Sequence, residues 1–292
     1  MFVTIGIMSF SSTYSIGGDL EVNRFGFGAM RIVGPGNFGM PENPQNSIDV
    51  LRRAVELGVN FIDTADQYGA GTSEQLIAEA LHPYKKNLVI ATKGGIVRHG
   101  PGPDVTLDGS PKHLLQALDD SLKRLKLARI DLYQLHRIDP KVPAEKSFEF
   151  LKQAQNDSKI KNVGLSEVSV EEIKKAQKYF KVASVQNRYS VDNRRWEDVL
   201  DYCNQQNIAF IPWFPIGGGE MQGLDTLERV ASEHDATIRQ IALSWLLHHS
   251  DNILLIPGTS SIVHLEENMA TVKIGLSDQN MQDLDSIASV KH

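Results

Sequence analysis

Asn60-Phe61-Ile62-Asp63-Thr64-Ala65-Asp66-Gln67-Tyr68-Gly69 begins as an apolar run, then delivers an acid and, five residues later, a phenol. Two later stretches share that design. Ile90-Ala91-Thr92-Lys93 and Tyr133-Gln134-Leu135-His136 each close an apolar run with one ionisable side chain. Short apolar runs bounded by turn residues read as buried strands. Successive strands that deliver Asp63, Tyr68, Lys93 and His136 to one end describe a site.

Outward from that stretch the chain alternates between strand and helix. Strands are expected at 24–30, 59–63, 88–93, 130–136, 160–165, 182–186, 208–213 and 252–257. The helices between them carry apolar stripes at helical spacing. Ile48, Leu51, Ala54 and Val55 form one; Leu76, Ile77, Ala80 and Leu81 form the next. A third opens with Ser110-Pro111, a natural cap and first-turn pair, and has Leu114, Leu115, Leu118, Leu122 and Leu125 as its stripe. Ser169-Val-Glu-Glu172 has the pattern of a capping box.

Near-continuous apolar strands alternating with helices imply a parallel sheet covered on its faces. Eight strand–helix units close a (β/α)8 barrel, the TIM barrel. A hairpin around Gly17-Gly18 is expected before it, and an extra amphipathic helix with Met281, Leu284 and Ile287 after it. A doubly wound open sheet is the competitor, and it needs an early G-x-G-x-x-G turn. Gly26-Phe-Gly28 lacks the third glycine and runs into a long Gly/Pro-rich loop instead. No linker or charge run divides the chain, so residues 1–292 read as one domain. Long loops at 94–110 and 215–223 fall at the carboxyl end of the strands, where barrels place their sites.

Composition narrows the function classes. With 41% hydrophobic and 23% charged residues over 292 positions, the chain has the make-up of a soluble globular protein. A net charge of −6 provides no electrostatic footprint for nucleic acid. No apolar run approaches the roughly 20 residues needed to span a bilayer. The apolar start lacks a basic segment and a cleavage site, and Met8 stands as an alternative start. Cys203, the one cysteine, reads as a buried small side chain; no internal disulfide can form, which suits a cytoplasmic setting. The nine histidines show no metal-ligand spacing, and no metal is inferred.

Taken singly, Asp63 is an ordinary turn cap, Tyr68 packing, Lys93 a surface charge and His136 a satisfied core residue. Their coincidence at successive strand ends is what points to chemistry. A free tyrosine has a pKa of about 10, too high for easy proton exchange at neutral pH. A nearby ammonium favours the phenolate and lowers that value. Asp63 can pair with Lys93, and His136 can hydrogen-bond a substrate oxygen. The expected product is a phenol poised to protonate a carbonyl oxygen. Because it supplies no hydride, a redox cofactor must share the same mouth.

At these residues the chain resembles the aldo-keto reductases, over almost its whole length. Phe61 to Gly69, Ile90-Ala-Thr-Lys93, Asp131-Leu-Tyr-Gln-Leu-His136 and Ile256-Pro-Gly-Thr-Ser-Ser261 with His264-Leu-Glu-Glu-Asn268 carry the likeness. The resemblance implies a catalytic tetrad of Asp63, Tyr68, Lys93 and His136. It implies NADPH, with NADH admitted as an alternative, and a small-molecule carbonyl substrate. It places Gly28, Ala29, Met30 and Asp63 beside the cofactor, and Ser166 and Gln186 on the nicotinamide amide. Glu167 stands where the family usually has asparagine. Trp213 is expected to stack on the nicotinamide, flanked by Phe214 and Pro215, with Gly217 and Gly218 along the pyrophosphate. Small residues there let backbone N–H groups reach phosphate oxygens.

Gly258, Thr259, Ser260 and Ser261 precede a helix with His264, Glu267 and Asn268, and a helix start with hydroxyls beside it suits an anion such as a ribose 2′-phosphate. Many relatives have lysine at the place of Gly258 and arginine at that of His264, and losing both cations weakens discrimination against NADH. Within the family, the Pro215-Ile-Gly-Gly-Gly219 run and the last cofactor segment are similar to bacterial pyridoxal reductases, which implies reduction of pyridoxal or the reverse oxidation. The alternatives are a redox-sensing subunit that holds NADP without turnover, and a barrel lyase with Lys93 as a Schiff base. A monomer or weak homo-oligomer, with no nucleic-acid or membrane partner, is expected.

Overall fold

Successive side chains on a strand face opposite sides, so Val89-Ile-Ala-Thr-Lys93 sorts into two sets. Ile90 joins the packing under the helices, whereas Val89 and Ala91 face the barrel interior, on the same side as Lys93. The computed structural model describes residues 11–215 and 223–288. Met8 and the glycines at 217, 218 and 219 lie outside the described residues.

An antiparallel hairpin, β1 (Thr13–Ile16) and β2 (Leu20–Asn23), turns at Gly17 and Gly18, both left-handed with φ of 65° and 88°. Next come β3 (Phe27–Gly28), β4 (Phe61–Asp63) and β5 (Val89–Gly94). A second antiparallel hairpin, β6 (Ile96–Arg98) and β7 (Val105–Leu107), occupies the stretch expected to be only a long loop. Then follow β8 (Ile130–Leu135), β9 (Ile160–Ser166), β10 (Val182–Gln186) and β11 (Ala209–Phe210). The helices are α1 (Pro44–Glu56), α2 (Thr72–Leu81), α3 (Pro111–Leu125), α4 (Ala144–Asn156), α5 (Val170–Ala176), α6 (Glu197–Gln205), α7 (Leu224–Glu233), α8 (Ile238–His249), α9 (Ile262–Ala270) and α10 (Asp278–Asp285). None is long and apolar enough to cross a membrane.

The parallel sheet runs β3-β4-β5-β8-β9-β10-β11. Its two edges meet through residues 253–255. Ile253 bridges Phe210, and Leu255 bridges Phe25. Leu254 N donates to Phe210 O, and Gly26 N to Leu255 O, both at 2.8 Å. The eighth strand therefore closes a (β/α)8 barrel, but as bridges rather than a full ladder, and Pro257 has no N–H with which to extend it. Arg24, 1% exposed, pins this seam by donating to the carbonyls of Ile253 and Leu247.

Helix starts follow the sequence signals. Ser110 Oγ accepts from His113 N ahead of Pro111, and Ser169 and Glu172 form the expected capping box. Leu114, Leu118 and Leu125 are buried, but Leu115 is 45% exposed, against the expected stripe. At about 100° per residue, position 115 turns off the face shared by 114 and 118.

Two cores result. The larger lies between helices and sheet; the smaller fills the barrel with Phe61, Val89, Leu132, Ala209 and Leu254, and is plugged by Ile16, Leu20 and Val22 of the first hairpin. The hairpin thus shuts one end, leaving polar side chains to the other. Gly28 sits at the seam, where an added Cβ would strike the Ile256 carbonyl oxygen. Gly28→Ala is expected to cost about 1–3 kcal/mol, read as a lowered urea midpoint; an unchanged midpoint would show that the seam can relax.

Candidate active site

The same-face rule lifts polar side chains from successive strands into the open end. Asp63 follows Phe61, Lys93 follows Ala91, and Gln134 and His136 follow Leu132, two residues at a time. Lys93 is wholly buried and its Nζ donates to Asp63 Oδ2 at 2.6 Å, Thr64 O at 2.8 Å and Tyr68 Oη at 3.4 Å. All its ammonium protons are therefore engaged. Asp63 Oδ1 accepts from Gln134 Nε2 at 3.0 Å and Gln186 Nε2 at 2.9 Å. Burial alone would lower the Lys93 pKa, but Asp63 and Tyr68 raise it above the ordinary value.

The phenol and imidazole lie side by side. The Tyr68 and His136 rings meet edge to face with centroids 6.0 Å apart. Burial raises the Tyr68 pKa, and the Lys93 ammonium only partly offsets this. The expected lowering by lysine is present, but burial outweighs it, so the net shift is upward. His136 moves far the other way. Burial, then Lys93, Arg137 and Arg98, hold its pKa well below 6.5, leaving a neutral ring whose Nδ1 is buried without a protein partner.

Tyr68 and His136 line a cavity of about 480 Å³. Of the residues expected around a cofactor, Gly28, Ala29, Met30, Asp63, Ser166, Gln186, Trp213, Phe214, Pro215 and Gly258 line it as well. Gln186 spends its amide hydrogens on Asp63 and on Gln134 Oε1 (3.5 Å), so its own oxygen is what remains for an amide ligand. Ser166 Oγ accepts from Arg137 Nη1 at 2.8 Å and keeps its hydrogen to donate. An apolar-walled cleft with an amide acceptor, a hydroxyl donor and an aromatic face fits a nicotinamide.

Backbone approach at Gly28 and Gly258 has a cause other than a ligand. A Cβ on Gly258 would lie 2.5 Å from Gly28 O, so the two glycines accommodate each other across the barrel seam. Thr259, Ser260, Ser261, His264, Glu267 and Asn268 lie beyond the cavity lining. Thr259 Oγ1 accepts from Ser261 N, and Ser261 Oγ caps α9 through His264 N. Glu267 Oε1 accepts from Thr237 Oγ1 at 2.8 Å, and Asn268 is buried.

Several site groups escaped the sequence reading. Gln134 joins Gln186, already expected at the cofactor, to complete the shell of Asp63, and its position two residues before His136 left it open to detection. Arg137 lines the cavity, as does exposed Arg31 beside Gly258. Glu167, far from leaving a gap, accepts from Trp213 Nε1 at 2.7 Å and Arg188 N at 2.6 Å, and pairs with Arg195 at 2.8 Å. The hairpin β6–β7 supplies Ile96 to the wall, and its Arg98 donates to Gln67 Oε1 at 2.7 Å.

Comparison with known proteins agrees with this geometry. Residues 24–289 match the sequence profile of the Aldo/keto reductase family. A Schizosaccharomyces pombe protein named uncharacterized oxidoreductase C215.11c is 49% identical over 269 residues, spanning 92% of this chain and 87% of its own. Pyridoxine 4-dehydrogenase of Escherichia coli is 42% identical over 284 residues, spanning 95% of this chain and 99% of its own. An aldo-keto reductase from Klebsiella pneumoniae, crystallised with NADP and acetate, has a TM-score of 0.79 at 24% identity, over 94% of this chain and 95% of that one, a likeness of fold. With the barrel, the buried lysine–tyrosine contact and a profile match over nearly the full length in agreement, this chain belongs to the Aldo/keto reductase family and is an NAD(P)H-dependent oxidoreductase acting on carbonyl and alcohol groups.

Proposed function

We propose that this single domain reduces a small-molecule aldehyde or ketone reversibly with NADPH, using Tyr68, Lys93, Asp63 and His136 as its catalytic group. The observation that carries this is the Lys93 ammonium, wedged between Asp63 Oδ2 and Tyr68 Oη at the floor of an open cavity. The cofactor, when bound, supplies the hydride for the carbonyl carbon. Ser166 and Gln186 Oε1 would hold its nicotinamide amide, Trp213 its ring, and the backbone at 28–30 and 258 its neighbouring groups. Gly217 and Gly218 are assigned to the pyrophosphate, and the hydroxyls of 259–261 with His264, Glu267 and Asn268 to the adenosine phosphate. NADH remains an alternative, because neither Gly258 nor His264 offers a permanent cation.

Tyr68 donates the proton to the carbonyl oxygen. A neutral His136 can orient that oxygen without competing as an acid. Lys93 restrains the rise of the tyrosine pKa, and Asp63, itself fixed by two glutamines, holds Lys93. A Schiff-base role for Lys93 is disfavoured, since it needs a neutral amine and this one is a fully bonded ammonium. Pyridoxal is a candidate substrate, supported by the relative named pyridoxine 4-dehydrogenase. NADPH oxidation followed with pyridoxal tests this directly. A cytoplasmic monomer or weak homo-oligomer suits a chain whose single cysteine is buried.

Tyr68→Phe is expected to bind NADPH nearly as wild type and to lose roughly 10²–10⁴ in turnover; wild-type turnover would remove Tyr68 from the mechanism. The pH profile offers a second check. With the Tyr68 pKa above 10.0 and that of His136 well below 6.5, reductive kcat/KM should stay level across neutral pH and fall only on the alkaline side. The reverse oxidation should gain as pH rises. An inflection near 6.5 that vanishes in His136→Gln would contradict a neutral imidazole.

The aromatic wall makes the third prediction. Because Glu167 is the acceptor for the Trp213 indole N–H, Glu167→Ala should weaken NADPH binding about tenfold or more, the value of one charged hydrogen bond. Glu167→Gln should recover most of it. Fluorescence titration of NADPH decides the matter, and equal affinity in the alanine variant would detach Trp213 from the cofactor.

A further inference from the structure

Arg137 occupies a position that the proton-transfer group does not explain. It follows His136 at the end of β8, lines the cavity with Tyr68 and His136, and is half-buried. Its Nη1 donates to His136 O at 2.6 Å and Ser166 Oγ at 2.8 Å. No carboxylate among the described residues forms an ion pair with it. A guanidinium keeps its charge at any working pH, and a partly buried charge without a paired acid is costly.

Its surroundings repeat the theme. Arg98, which acts electrostatically on His136 from the β6–β7 hairpin, donates to Gln67 and to the carbonyls of Gly100 and Gly102, again with no acid in contact. Arg188 lies over the Trp213 and Phe214 rings at 5.9 Å and 5.4 Å, and Arg137 over Trp213 at 5.9 Å. The nearby acid, Glu167, favours the Arg137 charge from a distance but makes its bonds to Trp213, the Arg188 backbone and Arg195. Asp63, the carboxylate that lines the cavity, is spent on Lys93. The end of the cavity at His136 thus has a surplus of positive charge.

We propose that this surplus recognises the substrate, and that the preferred carbonyl compound carries an anionic group, a carboxylate or a phosphate, which binds Arg137. This rests on the carbonyl-reductase reading above, in which the cofactor's phosphates are assigned to residues other than Arg137, among them the hydroxyls of 259–261. A fork of N–H donors suits carboxylate or phosphate oxygens. Bound there, the anion would set the distance of the carbonyl from Tyr68 and His136.

The experiment pairs probes that differ mainly in charge. NADPH oxidation is followed with 4-carboxybenzaldehyde and its methyl ester, and with pyridoxal 5′-phosphate and pyridoxal. In the wild type kcat/KM should favour the anionic member by about tenfold or more in at least one pair, the order expected of a charge-assisted hydrogen bond. The pair that shows the preference assigns carboxylate or phosphate. Arg137→Gln should bring that ratio towards one and Arg137→Lys should restore part of it; the ratio cancels any loss of cofactor binding common to both probes. Neutral members reduced as well as charged ones, or a ratio unchanged in Arg137→Gln, would overturn the proposal. No oxidation with any probe would instead bring down the carbonyl-reductase reading, and this inference with it.

Discussion

A single ammonium cut off from solvent constrains this structure more than any other group. Lys93 is 0% exposed, and removing a charge from water costs several kcal/mol unless its partners are in place. Those partners are distributed over the fold. Asp63 comes from β4, the Thr64 carbonyl from just beyond it, and Tyr68 from the loop that leads into α2. Asp63 in turn is held by Gln134 from β8 and Gln186 from β10. The arrangement can exist only where strands β4, β5, β8 and β10 keep their registers. Such pairs are weak sources of net stability but strict about geometry, which is what the role proposed for Tyr68 requires.

The barrel supplies that geometry by dividing its interior. Below the polar level, Phe61, Ala91, Leu132 and Leu254 exclude water, and the first hairpin seals the base with Ile16 and Val22. Above it, the cavity opens beside Trp213 and the second hairpin. A dry floor is why the tyrosine and histidine shift in opposite directions. Burial opposes charge on both, so it keeps the phenol protonated and the imidazole neutral. One environment thus prepares an acid and a neutral hydrogen-bonding partner side by side.

Much of this was legible before any coordinates, and the reason is periodicity. Strand residues two apart share a face, so the step from apolar to ionisable at 61 to 63 and at 91 to 93 already announced an interior with a polar end. Capping at Ser110 and Ser169 was equally plain, because it is settled within a few residues. Other features were hidden for physical reasons. Whether burial or the lysine decides the sign of the Tyr68 shift depends on how dry the floor is, which no local pattern reveals. The β6–β7 hairpin is short and rich in glycine and proline, and it pairs weakly with the rules of strand spacing. The hydroxyls at 259 and 261 looked like ligand donors, yet their nearest demands are the N–H groups of Ser261 and His264. The glycines at 28 and 258, both expected beside the cofactor, make room first for each other.

Glu167 brings these strands of reasoning together. Its backbone adopts φ of 54°, in the left-handed region that longer side chains seldom visit. Glu167 N donates to Gln186 O, so its backbone also contacts the end of β10. Its carboxylate then reaches the indole N–H of Trp213, the N–H of Arg188 and the guanidinium of Arg195. A neutral amide at this position has one acceptor oxygen and could not satisfy all of them. The acid therefore fixes the aromatic wall, and its ion pair is with Arg195 rather than with Arg137. The departure from asparagine thus ties the wall of the cavity to the charge at its mouth.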